Sequence, residues 1–539
     1  MKIELIKFLA KILIMKQLFS VFFILAIQLT IFGQGKPVSK YANIVNISGL
    51  KKDLSIIASD AMEGRETGTE GQRKAANYIE NRFKEIGLSH PKNMIGYQQF
   101  FPINQDSIIE TSLILNNEKQ IFGSDFISPV SMNENDSFVS DKIIFVGYGI
   151  DDLAYSDYGK KNVKGKVIIF FNGEPKKDKT YLISGSEKAS NWTRYGLIKK
   201  IETAYSKGAI GALYINTGQP TFSSKAIINS NKVYSFNKNN SEETKKVNIA
   251  SISHSLAKRI IGVDFDNLLV LSKEGYLLND ISIEKQINAQ FSVKKITTSN
   301  NAANVIGIIE GSDKKDEFVF LTAHYDHLGN QNGIIYNGAD DDGSGTVTVI
   351  QMAEAFAKAK KEGFAPRRTI VFMTVSGEEK GLWGSEYYSD HPIFPLDKTT
   401  VDLNTDMIGR IDTERKKPDT SNYLYVIGHN KISSDLAPII ETTNKNYSNL
   451  VLDYKFDDPA DPNRIFYRSD HYNFARKGVP ILFFYDGMLK ADYHQPTDDI
   501  DKINWPLFEK RAQYIFHMAW ELANRNSQLV RDIPLSDAE

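Results

Sequence analysis

The chain has no cysteine, which excludes disulfides, thiolate metal sites and a lipid on an amino-terminal cysteine. Any transition metal must therefore be held by His, Asp and Glu. An excess of one charge is missing too: 65 Lys and Arg face 66 Asp and Glu, for a formal charge of −1. Without a cationic surplus the surface suits a phosphate backbone poorly, so nucleic acid is not an expected partner. Apolar runs of membrane-spanning length are also lacking. The strongest candidate, residues 18–32, follows Lys2, Lys7, Lys11 and Lys16 and leads into Gly33 and Gly35. It falls short of the roughly 20 residues that a bilayer requires. A cationic start, a short apolar stretch and a small-x-small site read as a signal peptide over residues 1–35, or as an anchor if it stays uncleaved. Its removal takes away those lysines and Glu4 and moves the formal charge from −1 to −4. The expectation is an exported protein, periplasmic or secreted, without stable membrane insertion after cleavage.

What is present is the composition of a folded protein, with 41% hydrophobic and 24% charged residues. At 539 residues, more than one core is expected. Ala75, Ala76, Ile79, Phe83 and Ile86 recur at helical steps and Gly87 follows where a helix ends, so residues 41–118 open with a helix. GRETGTEG (64–71) just before it has neither a leading strand nor a Lys-Ser/Thr pair, and reads as a structured turn rather than a phosphate cradle. From 119 to 290 short strand-like runs alternate with polar turns, as in KIIFVGYGI (142–150) and KVIIFFNG (166–173). No His lies among carboxylates there, which makes the segment a small inserted, β-rich domain without chemistry of its own. From 295 to 530 strands and helices alternate. FVFLTA (318–323), RRTIVFMTVS (367–376) and VPILFFY (479–485) are buried strands, and Val349, Met352, Ala353 and Phe356 mark a helix between the first two. The fold class is α/β: a three-layer α/β/α sandwich on a mostly parallel sheet.

Acidic and imidazole residues gather after these strands, where open α/β sheets bind ligands. AHYDH (323–327) follows the first strand, and in it His324 is a metal-ligand candidate whose ring Asp326 can orient. NGADDDGSG (337–345) places three acids at a helix start, tolerable on a solvated turn or around a cation. It lacks the alternating acids of an EF-hand. GEEKG (377–381) follows the second strand, and its paired Glu residues can divide metal binding from proton transfer. NTDMIG (404–409) and DYHQPTDD (492–499) complete the series.

Taken in order, these motifs resemble the co-catalytic dizinc exopeptidases, the family of bacterial leucyl aminopeptidases, aminopeptidase Y and glutamate carboxypeptidase II. The likeness spans residues 324–498. GYG (147–149), VKGKV (163–167) and KGAIGALYI (207–215) also resemble the protease-associated domain inserted in many members. The resemblance implies two Zn²⁺, with Mn²⁺ or Co²⁺ as substitutes, held by His324, Glu379, Asp406 and His494 with Asp340 bridging. It places a cis peptide at Asp340–Asp341, the general base at Glu378 and an oxyanion donor at Tyr493. Two zincs can share and acidify a water, Glu378 taking its proton as the scissile carbonyl is attacked. SDH (469–471) is assigned to the pocket wall.

The implied substrate is a peptide cut at its N-terminus. One alternative is a carboxypeptidase of the glutamate type, for which Arg410, Arg464 and Arg468 lie near the motifs, as Asp458 and Asp461 do for an amine. Others are a non-catalytic receptor-like relative, a single-zinc cyclase and a two-metal phosphoesterase; the complete ligand set with Glu378 and Tyr493 favours peptide hydrolysis.

Overall fold

The computed structural model describes residues 35–194, 196–236 and 245–535. The signal-peptide expectation rests on residues 1–35 and, except for Gly35, lies outside the described residues. Among the described residues no helix is long and apolar enough to cross a membrane. Two compact units form, one from Met1–Phe101 with Asn301–Glu539 and the other from Pro102–Asn300. The expected boundaries were 118/119 and 290/295. The strands Gln98–Leu115 and Glu284–Ile309 cross these boundaries, so that Pro102 and the run Ser299, Asn300, Asn301 lie inside strands instead of in the turns such residues usually mark.

The larger unit is built on β1 (Glu284–Ile309, of which 305–309 pair here), β2 (Lys314–His324), β3 (Arg368–Val375), β4 (Thr399–Thr405), β5 (Tyr423–Ile427), β6 (Val451–Asp453) and β7 (Ile481–Tyr485). Their order across the sheet is β6-β5-β7-β4-β2-β3-β1. β2 pairs in parallel with β3 and β4, and β4 with β7, while β1 and β5 run antiparallel to their neighbours β3 and β7. Every residue of β3, β4, β5 and β7 is buried, as expected of a sheet covered on both faces.

Its helices include α1 (Ile47–Ile57), α2 (Glu70–Ile86), α3 (Gly345–Lys361), α4 (Trp383–Asp390), α5 (Leu436–Tyr447) and α6 (Trp505–Asn524). The two faces are distinguished by strand alternation. Phe320 of β2 meets Tyr388 of α4, whereas Phe372, paired with the adjacent Leu321, meets Phe356 of α3. Successive residues point to opposite faces, so α3 and α4 lie on opposite sides of the sheet. α2 buries Ala75, Ala76, Ile79 and Phe83 and ends at Gly87, whose φ of 86° is the left-handed conformation glycine adopts without strain.

The smaller unit has its own apolar core, including Phe145, Ile169, Leu213 and Ala250. Four strands, Asp136–Phe145, Val167–Phe171, Gly211–Ile215 and Asn248–Ile252, pair in parallel. With helices Gly196–Ser206, His254–Ile261 and Phe265–Glu274 this is a mixed α/β unit rather than a simply β-rich one. The last two helices have 8 and 10 residues, too short for an apolar period to separate them from loop.

Candidate active site

The strands of the larger unit end where their polar residues begin. β2 ends at His324, Glu378 and Glu379 lie just past β3, Asp406 directly follows β4, and Tyr493 and His494 lie in the loop after β7. A wide turn, Ala339–Ser344, carries three aspartates into the first turn of α3.

These three neighbours have three different surroundings. Asp340 Oδ1 accepts the Gly409 N–H at 2.7 Å. Asp341 faces imidazoles: Oδ1 lies 3.3 Å from His324 Nε2, and Oδ2 3.2 Å from His494 Nε2. Asp342 accepts the backbone N–H groups of His324, Gly345 and Met407 at 3.2, 2.8 and 3.1 Å, tying two strand ends to the start of α3. Two groups of donor atoms follow, one of His324, Asp341 and Asp406 and one of His327, Asp341 and Glu379. His494 joins the second through Glu379, 3.0 Å from its Nε2. His494 is 36% exposed while Asp341 and Glu379 are buried, so it forms the solvent edge of the site.

Electrostatics set the three aspartates apart in the same way. Burial, with Asp486 and Asp498 nearby, pushes Asp340 well above the usual carboxylate range. Burial also raises Asp342, with Asp406 beside it. Burial alone would raise Asp341 as well, but contact with His324, His327 and His494 holds it well below the usual range. Against the opposing effect of burial, Asp341 and Glu379 lift His494 to about 10. Glu378 is driven well above its ordinary value by burial, with Glu379 and Asp406 adding to the effect. Its Oε2 lies 3.9 Å from His324 Nε2.

The donor set fits a metal. His324 Nε2, His327 Nδ1, Asp341 Oδ2 and Glu379 Oε1 are buried without a hydrogen-bond partner. Buried polar atoms are rarely left so, and four that converge mark a place for a cation. Imidazole nitrogen with carboxylate oxygen suits zinc and also accepts manganese or cobalt. Residues 304–519 also match a known family directly, with β2, β3, β4 and β7 and all of these donors inside the matched span. Residues 304–519 match the model of peptidase family M28.

The M28 segment has relatives of known name. A probable leucine aminopeptidase of Arthroderma otae is 29% identical over 239 residues, covering 43% of this chain and 61% of the relative. Aminopeptidase YwaD of Bacillus subtilis is 25% identical over 241 residues, covering 43% and 48%. The chain thus spans about half to three-fifths of the curated relatives it matches. Two solved structures align over nearly the whole chain. An aminopeptidase from Aneurinibacillus sp. strain AM-1 has a TM-score of 0.55 at 18% identity, covering 93% of this chain and 98% of that one. BSAP, a zinc aminopeptidase from Bacillus subtilis, has 0.52 at 19%, covering 91% and 99%. At these identities the likeness establishes the fold.

Several expectations for the M28 site change. Asp341, not Asp340, lies between the two donor groups, and the cis peptide is Asp341–Asp342 rather than Asp340–Asp341. With three successive aspartates, spacing cannot say which one faces the imidazoles; the backbone partners of the other two do. The Asp326 carboxylate does not hydrogen-bond the His324 ring, being 3.8 Å from Nδ1, while its backbone carbonyl is 3.0 Å away. That carboxylate instead accepts the Thr67 hydroxyl at 2.7 Å and the Glu378 N–H at 3.2 Å, so it positions the glutamate loop. SDH braces the fold: Asp470 accepts the Ser385 hydroxyl and the Ser469 hydroxyl accepts the Asn404 side-chain N–H, while His471 meets the Phe466 carbonyl and burial pushes it down to about 3. Asp458 and Asp461 cap nearby backbone, at Ala460 and Asn463.

Two contributors escaped the sequence. His327 had no assigned role, although it stands in the same AHYDH string. Arg65, in the turn before α2, is fully buried and donates to the carbonyls of Ile57, Tyr325, Asn337 and Gly338, bolting both donor loops to the amino-terminal segment. No spacing rule links residues about 270 positions apart.

Proposed function

We propose that the chain is a zinc-dependent aminopeptidase with two metal ions. The observation that carries this is the Asp341 carboxylate, one oxygen of which faces His324 and the other His494, with Glu378 at the edge of the first donor group. His324, Asp341 and Asp406 would hold one ion, and Asp341, Glu379 and His494 the other. Bound there, zinc supplies Lewis acidity, polarising a carbonyl and making water a better proton donor.

The protein's own groups supply the rest. Glu378 is held by its N–H on Asp326, in a buried position that favours its protonated form. A carboxylate so raised is suited to accept a proton from water and return it to a leaving amine. The Tyr493 hydroxyl accepts from Arg468 at 3.0 Å and, kept protonated by burial, has its own proton to give to an oxyanion. The pocket beside Asp341 and Glu378 is walled by Met407, Ile465, Phe483 and Leu489, which suits an apolar side chain at the cleaved end.

The direction of cleavage rests on which cations line this pocket. Of the three arginines near the motifs, Arg468 lines it, Arg410 is paired with Asp492, and Arg464 lies over the Tyr467 ring. One guanidinium already bonded to Tyr493 is a poor receptor for the carboxylates of a glutamate-type substrate. Export through the amino-terminal segment fits a peptide-degrading role outside the cytoplasm.

The test is release of amino acids from matched peptides with free and blocked N-termini, before and after chelation and with zinc restored. Free peptides with Leu or Phe first should be cut, blocked ones spared, and chelated protein silent until zinc returns. Equal cleavage of blocked peptides would remove the aminopeptidase assignment.

A further inference from the structure

We propose that His327 is an additional metal ligand, supplying Nδ1 to the second ion beside Asp341, Glu379 and His494; this rests on the two-metal reading above. His327 is fully buried, and no hydrogen bond reaches its Nδ1. That nitrogen lies 2.8 Å from Glu379 Oε1 and 3.8 Å from Asp341 Oδ2. Both oxygens are themselves buried without a hydrogen-bond partner. An N···O pair this close without good hydrogen-bond geometry leaves both lone pairs able to meet at a third position. Three unsatisfied donor atoms around one point are what a cation site requires.

The ring is held in that place. Gly338, with a left-handed φ of 54°, brings its backbone so close that an added Cβ would lie 2.5 Å from His327 Cγ and Cδ2. On its other side the His494 ring stands edge-on, its centroid 5.9 Å away. Asp498, the remaining acid beside it, is occupied with the backbone N–H groups of Asp340 and Asp341. The two positions would then differ in kind. The first has one imidazole and two carboxylates, the second two of each, so the second should select zinc over manganese more strongly.

The test uses the purified full chain, loaded with zinc or with cobalt alone. Chelator competition should show two ions in the wild type, and in His327→Ala a second ion held more than about 100-fold more weakly with the first unchanged, beyond the roughly 10-fold to 100-fold cost of losing an outer-shell hydrogen bond. The visible spectrum of the cobalt form should change in His327→Ala and in His327→Asn alike, because an amide nitrogen does not ligate. Thermal melts of the metal-free variants, matching the wild type, separate ligand loss from misfolding; should His327→Ala fail to fold, the nearly isosteric His327→Asn carries the same measurement. Wild-type affinity and spectrum in either variant would overturn the proposal, since recovery by Asn would mean that His327 acts only as a hydrogen-bond donor to Glu379. A wild type that binds fewer than two ions would instead overturn the two-metal reading itself.

Discussion

Both units bury charged side chains that find local partners, and the larger one also gathers several that do not. In the smaller unit Asp157 accepts the N–H groups of Tyr148 and Ile150 and the Tyr155 hydroxyl. Glu174 is gripped by the N–H and hydroxyl of Ser190, and Lys200 donates to the Gly173 carbonyl. Lys161 Nζ lacks a hydrogen bond there, but it lies 6.0 Å over the Phe145 ring, with Asp157 and Asp280 favouring its charge. In the larger unit, four unsatisfied atoms of His324, His327, Asp341 and Glu379 converge. Burial of charge is thus no sign of chemistry by itself. What separates the two regions is whether each charge has a local partner or converges with other unsatisfied donors.

The sharpest way to break this contrast is to change neighbouring aspartates. Asp341→Asn should lower peptide hydrolysis by on the order of 10³-fold and weaken metal retention, as expected when a dominant electrostatic element is lost. Asp340→Asn should do little. Burial pushes Asp340 well above the usual carboxylate range, which favours the neutral form, and a neutral amide can keep its contact with the Gly409 N–H. Metal content and kcat/KM of the two variants, side by side, check this. Next in size, Glu378→Gln should reduce kcat by roughly 10²–10⁴-fold while metal content stays intact, separating proton transfer from binding. Chelation should lower the melting temperature reversibly, since an ion present at about 100 times its Kd contributes about 2.7 kcal/mol.

The smallest effect on activity belongs to the satisfied charge. Burial pushes Asp157 up to about 6, above an unfolded value near 3.9. The folded state therefore holds that proton more tightly, and stability falls as pH rises from about 4 to about 6, by roughly 3 kcal/mol. Asp157→Asn should flatten this part of the stability curve in urea titrations and leave peptide release unchanged. A loss of activity on the same scale as for Glu378→Gln would erase the distinction between the two units.

Much of the larger unit was legible because its strands are continuous apolar runs with chemistry at their ends. FVFLTA, RRTIVFMTVS and VPILFFY each mark a strand, and the helix from Gly345 follows its apolar period. The site was legible down to residue type and loop, but not to the register within DDD. That choice depends on Gly409, Met407 and His324, which donate N–H groups from other strand ends. The work of Arg65 and Thr67 was hidden for a similar reason: GRETGTEG reads as a turn locally, and its meaning lies in the distant carbonyls and the carboxylate it reaches. The two short helices of the smaller unit, His254–Ile261 and Phe265–Glu274, were missed because two to three turns carry too little periodicity.

The central claim, that Asp341 joins two metal positions, is tested most directly by anomalous diffraction at the zinc edge from crystals of the zinc-loaded protein. Two peaks are predicted, one beside His324 and Asp406 and one beside Glu379 and His494, with the Asp341 carboxylate touching both. A single peak, or a pair bridged by Asp340 with Asp341 turned away, would contradict it.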